Sequence, residues 1–144
     1  INFMKNNKVV ISHTSYNIIE NNKKISTRNA RNFLNFNSLV FSCDIGCSTV
    51  MLKKKILFKH ENFPPLKTKE DFVLWLKLLK KRNKIYSINK VLSNWEKTPK
   101  SLSSNVKQKL FDGFKVYNQY MKFGKIKSLF YLFVLSMNFL IKNN

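Results

Sequence analysis

The stretch from Phe63 to Lys81 constrains the fold most, because it forces an extended entry and then a helix with a buried face. Phe63-Pro64-Pro65 excludes helix ahead of it, since a proline ring crowds the preceding residue out of the helical region. Beyond it, Phe72, Trp75, Leu76 and Leu79 fall at the i, i+3, i+4 and i+7 positions of one helix face. The spacing predicts a helix over 69–81. Its first turn carries Glu70 and Asp71, adjacent carboxylates in a chain with seven acidic residues against 27 basic ones. A helix N-terminus favours ionised carboxylates through its free N–H groups and dipole. Such a carboxylate suits a general base with an aromatic surface one turn on. Thr68-x-x-Asp71 also fits a capping box, in which both side chains satisfy free backbone amides. On the residues alone both readings stand.

With 144 residues and 44% hydrophobic content, the chain can bury one core, not two. Residues 8–19 are β-branched and aromatic and read as a strand, followed by a polar turn at 20–24. Phe33, Leu34, Phe36 and Leu39 give 28–39 a loosely helical spacing, and 40–52 reads as an extended segment broken at Gly46. A short strand is expected over 84–92 and a polar loop over 93–104. A second helix over 105–123 carries Val106, Leu110, Phe114, Tyr117 and Met121 and ends at Gly124. Alternating strands and helices imply an α/β layer fold.

The net charge of +20 steers the chain toward phosphates, nucleotides or anionic lipid. An AT-rich coding sequence would also enrich Lys, Asn and Ile. Arginine is confined to Arg28, Arg31 and Arg82, which argues against sequence-specific nucleic-acid reading by bidentate forks. Cys43, Cys47, His13 and His60 are too few for a disulfide framework or a structural zinc site, so a reducing compartment is expected. Cys43 and Cys47 are expected to act as small buried hydrophobes. The sequence opens on Ile1 without a leader pattern, as an internal portion of a longer protein would. Residues 128–141 are uncharged. As a helix they span about 21 Å, short of the roughly 30 Å hydrocarbon core, so they either pack on the domain or lie at a membrane interface with lysines snorkelling.

Four segments in order resemble family 2 glycosyltransferases of the GT-A type. Residues 12–20 are similar to the strand that follows that family's metal-binding Asp-x-Asp. Gly46-Cys47-Ser48-Thr49-Val50-Met51 resembles its acceptor-side strand. Glu70-Asp71 with Leu74-Trp75-Leu76 resembles its catalytic helix, and Val91-Leu92-Ser93-Asn94-Trp95 with Ser101-Leu102-Ser103 resembles its closing strand and loop. The series covers about residues 9–120. The family's basic residue after the closing-strand aromatic is replaced by Glu96, with Lys97 next.

The resemblance implies the C-terminal part of a GT-A (nucleotide-diphospho-sugar transferase) fold over 1–104, followed by a C-terminal helical region over 105–144. It implies a hexosyltransferase that inverts the anomeric centre, with Asp71 as base and Glu70 as a second carboxylate placing the acceptor. Ser48, Thr49, Trp75, Trp95, Lys97, Lys100, Ser101 and Ser103 would bind substrate. From the residues themselves, Trp75 is as much a core position, Ser48 and Thr49 are ordinary local hydrogen bonders, and 97–103 is equally a solvated basic loop. Expected partners are a nucleotide-sugar donor, a glycan or lipid-linked acceptor and an anionic membrane surface, with no specific nucleic acid. A divalent cation, Mg or Mn, is implied, with ligands in an upstream half bearing Asp-x-Asp, without which this portion is expected to be inactive. The implied setting is the cytoplasmic, inner face of a bacterial plasma membrane, in cell-surface polysaccharide synthesis. The rival reading is a noncatalytic lysine-rich module that binds anionic lipid or nucleic acid.

Overall fold

The computed structural model describes residues 1–143 apart from 32, 58–62, 82–83 and 99–104. After a short helix α1 (Asn2–Asn6), the β-branched run forms strand β1 (Ile11–Glu20). Asn21 and Asn22 adopt positive φ (50° and 60°), the backbone of a tight hairpin, and return the chain as β2 (Lys23–Arg28). That strand replaces the second half of the expected turn. Its lysines give no apolar alternation to read, and the Asn-Asn pair is its sequence signal.

The expected helical character of 28–39 reduces to β3 (Phe33–Leu34) and the single turn α2 (Phe36–Leu39). Asn35 starts that turn by accepting the Ser38 N–H while Ser38 accepts its own, a reciprocal cap that divides the segment. The extended reading of 40–52 is likewise corrected. A 3₁₀ turn at Cys47–Thr49 interrupts it, and only β4 (Met51–Leu52) is a strand. The strand expected at 84–92 continues through Trp95 as β5 (Ile85–Glu96).

The sheet runs β2-β1-β5-β3, with β4 also pairing β1. β1 and β5 are parallel and the other pairings antiparallel, so the fold is mixed α/β with a mixed sheet. Register slips beside Ser15 let the run Tyr86–Glu96 of β5 accompany the shorter run Ser12–Ile19 of β1.

Helix α3 (Glu70–Lys80) forms where its periodicity predicts. Beyond the expected face, Val73, Leu74 and Leu78 are also buried, so α3 is sunk nearly all round. Its core neighbours come from the sheet (Ile11, Leu34, Ile85), from 39–45, and from the C-terminal helices (Val116, Tyr117, Met121, Leu135). Those helices are α4 (Val106–Lys115), continued by a π turn at Val116–Tyr120, and α5 (Lys125–Asn143). Lys122, at φ 61°, ends the π turn in the left-handed region, the role expected of Gly124. Val106 and Leu110, read as core positions, are exposed, while Tyr117 and Met121 are buried as expected.

Candidate active site at the start of helix α3

The start of α3 is fixed from α4. Thr68 donates both its N–H and its hydroxyl to Asp112 Oδ2, each at 2.9 Å, in a buried contact. Burial alone would raise the Asp112 carboxyl, but hydrogen bonds from Gln108 and Thr68 outweigh it and hold the group below the usual carboxylate range. The capping-box reading of Thr68-x-x-Asp71 is therefore corrected, because Thr68 is committed elsewhere. Lys69 takes the N-cap position in the left-handed region (φ 63°) and offers no side-chain cap. A β-carbon added to Gly113 would lie 2.7 Å from Leu132 Cδ1 and 3.5 Å from Lys69 Cε, so α4 presents a bare glycine where the Lys69 stem passes.

With no cap from Thr68, Asp71 serves the first turn itself: its Oδ1 accepts the Phe72 N–H at 2.7 Å. Its carboxyl is nevertheless raised above the ordinary value, chiefly by burial and further by Glu70, against the opposing pull of the Phe72 N–H and Lys69. A raised, half-buried carboxylate is a stronger proton acceptor than a solvated one.

Asp71 lies within electrostatic reach of Cys43 and Cys47 on the 43–47 segment and of Tyr16 in the middle of β1. The Tyr16 ring packs on Gly46, where an added β-carbon would sit 3.0 Å from Tyr16 Cε1. Burial pushes the Tyr16 phenol up, with Arg28 opposing and Cys43, Asp44 and Asp71 adding to it. Cys43 and Cys47, expected as small buried hydrophobes, are instead both exposed on this segment; partial desolvation still raises the Cys47 thiol, with both Asp71 and Glu70 contributing. Asp71, Glu70, Cys47 and Tyr16 thus share one neighbourhood drawn from helix, turn and strand.

The other predicted residues divide. Ser48 is exposed on the 3₁₀ turn, whereas Thr49 is buried and its hydroxyl donates to Gly46 O at 2.7 Å. Trp75 is only 2% exposed, so its ring faces are spent on packing, and its buried Nε1 has no partner among the described residues. Trp95 lies on β5 opposite Ile18 with a partly open ring. Lys97 binds Glu20 through its ammonium and Ile19 O through its N–H, both at 2.8 Å. About 13 Å of strand separates Glu20, the partner of Lys97, from Tyr16, whereas Trp95 lies beside Ile18, two residues from Tyr16. Lys100, Ser101 and Ser103 lie outside the described residues. Among those described, no three His, Cys, Asp or Glu side chains converge to hold a metal ion. Sequence reasoning missed Tyr16, Lys69 and Asp112 as parts of the site. The apolar pattern of β1 hides the first, and the 44 residues between Thr68 and Asp112 hide their bond.

The chain is 35% identical over 107 residues to an Escherichia coli protein, the UDP-Glc:alpha-D-GlcNAc-diphosphoundecaprenol beta-1,3-glucosyltransferase WfgD. It is 31% identical over 105 residues to the E. coli enzyme of the same description, WfaP, and 27% over 107 residues to the putative teichuronic acid biosynthesis glycosyltransferase TuaG of Bacillus subtilis. Each match takes in 73% of this chain and 41–42% of the relative, so the chain spans about two-fifths of their length. No family model and no solved structure matches. The chain is a homologue of these bacterial glycosyltransferases and matches part of their length, consistent with a partial domain of the family 2 kind that its motif series resembles.

Proposed function

We propose that the chain is the acceptor-side portion of an inverting, GT-A type glycosyltransferase in which Asp71 is the general base. Asp71 Oδ takes the proton of an acceptor hydroxyl as the new oxygen–carbon bond forms at the anomeric carbon, and the bond to the nucleotide diphosphate breaks on the opposite face. The observation that supports this is a carboxyl raised by burial at the start of α3, within electrostatic reach of Cys47 and Tyr16, in a homologue of glycosyltransferases. Glu70 supports the raised basicity of Asp71 by its charge. Ser48, exposed on the turn, is placed to meet the acceptor. By analogy with the relatives' names, the donor is a UDP-sugar and the acceptor a lipid-linked diphosphate glycan. Leaving-group stabilisation by a divalent cation falls to residues outside this portion.

Replacing Asp71→Asn in the complete protein is expected to lower kcat by about 10²–10⁴-fold, with KM little changed and the far-UV CD spectrum retained. Turnover within a few-fold of wild type would remove Asp71 from the base role. Because the base must be ionised, the rate falls as pH drops through its raised pKa. The acid limb of the kcat profile is therefore expected above the ordinary carboxylate range.

A further inference from the structure

Helix α5 turns a mixed polar and apolar face to the domain and an apolar one away from it. At 100° per residue, Ser128, Tyr131, Leu135, Asn138 and Lys142 share the side turned to the domain. Ser128 and Leu135 are buried there, Tyr131 stacks on Phe41, and Asn138 donates to Phe41 O at 2.9 Å. On the opposite side Ile126, Leu129, Phe130, Phe133, Met137 and Leu140, with Ile141 at the edge, fall within a stripe about 120° wide. All seven are exposed, between 42% and 87%. Together they offer on the order of 700 Å², beyond the ~300–600 Å² of the largest patch on a typical soluble monomer. A surface helix ordinarily shows water its charged face; beyond its first turn, the outer stripe of this one is all hydrocarbon.

The charge around the stripe selects what covers it. Lys125 and Lys127, both exposed, flank its first turn on either side of Ile126. Lysines are disfavoured at a helix N-terminus, where the dipole is already positive, so helix stability does not account for them. From Val106 onward seven lysines face a single acidic residue, Asp112, whose Oδ2 is turned inward to Thr68. The Lys115 ammonium lies 4.2 Å over the exposed Phe111 ring, a further cation on this side of the C-terminal helices. A second copy would bring +20 against +20. No helix among the described residues is long and apolar enough to cross a membrane.

We infer that the outer face of α5 seats the protein on an anionic lipid bilayer, the stripe entering the headgroup–acyl boundary and Lys125 and Lys127 meeting lipid phosphates. This surface lies on the side of α5 away from the domain and stands whether or not Asp71 is the catalytic base. The test is co-sedimentation of the full-length protein, without donor or acceptor, on vesicles of phosphatidylcholine with 30% phosphatidylglycerol and on pure phosphatidylcholine. Binding is expected on the anionic vesicles, weakening steeply with salt. Lys125→Gln/Lys127→Gln is expected to lower affinity about five-fold per lysine. Phe130→Asp/Phe133→Asp is expected to reduce it by at least ten-fold while CD and Tm stay near wild type, since neither ring is buried. Absence of vesicle binding, or binding unchanged in the aspartate variant, overturns the inference. A lipid-free dimer in sedimentation velocity that the aspartate variant dissociates also overturns it, by making the stripe a protein interface.

Discussion

Helices α3 and α5 are both dominated by large apolar residues, yet one is buried on nearly every side and the other leaves a whole apolar stripe in water. The difference lies in position rather than composition. α3 sits in a core cluster fed by both the sheet and the C-terminal helices, whereas α5 is the outermost layer, with the domain on one side only. Hydrophobicity therefore sets how much surface a helix must hide, and the layer it occupies sets whether the chain itself can hide it.

The contrast breaks most sharply on two phenylalanines. Phe72→Ala in α3 is expected to cost about 3–5 kcal/mol through lost burial and a cavity. Phe133→Ala on the outer face of α5 should stay within about 0.5 kcal/mol, both read by urea denaturation. Comparable losses would mean that α5 is covered within the chain. A smaller effect tests the link that sets α3 in place. Asp112→Ala strands the buried donors of Thr68 and is expected to cost about 1–3 kcal/mol, with Asp112→Asn recovering part of it. Because that carboxyl is depressed, its stabilisation is present above the ordinary carboxylate pKa and is lost as pH falls through the lower folded value.

Burial also isolates His13 on β1. It is buried, neither ring nitrogen has a partner among the described residues, and burial lowers its pKa from 6.5 to about 4 against an opposing effect of Asp44. Between pH 6.5 and 4 the unfolded chain takes up a proton that the folded one refuses, so stability declines through that window as pH falls. His13→Leu should flatten the dependence of Tm on pH there. An unchanged slope would place the titration elsewhere.

Much of this was legible in the residues. α3 declared itself because its apolar residues recur with the helical period, and Asp71 because acidic residues are scarce. The two fates open to 128–141, packing on the domain or meeting an interface, correspond to the two sides of one helix, which a linear reading cannot separate. β2 escaped notice because an edge strand rich in exposed lysine has no alternation to detect. The capping reading of Thr68 failed because its partner sits 44 residues downstream, and a distant carboxylate leaves no local signature. Trp75 was ambiguous because stacking platforms and core positions use the same residue type.

The far end of α5 is riveted to the segment beside the candidate site. Lys142 binds Ser42 and Asp44 through its ammonium, and its carbonyl accepts from Arg28 Nη1 at 2.8 Å. Cys47 follows Asp44 by three residues. Truncation of the last turn of α5 would therefore remove the ties that hold the segment leading into the Cys47–Thr49 turn as well as surface at the periphery.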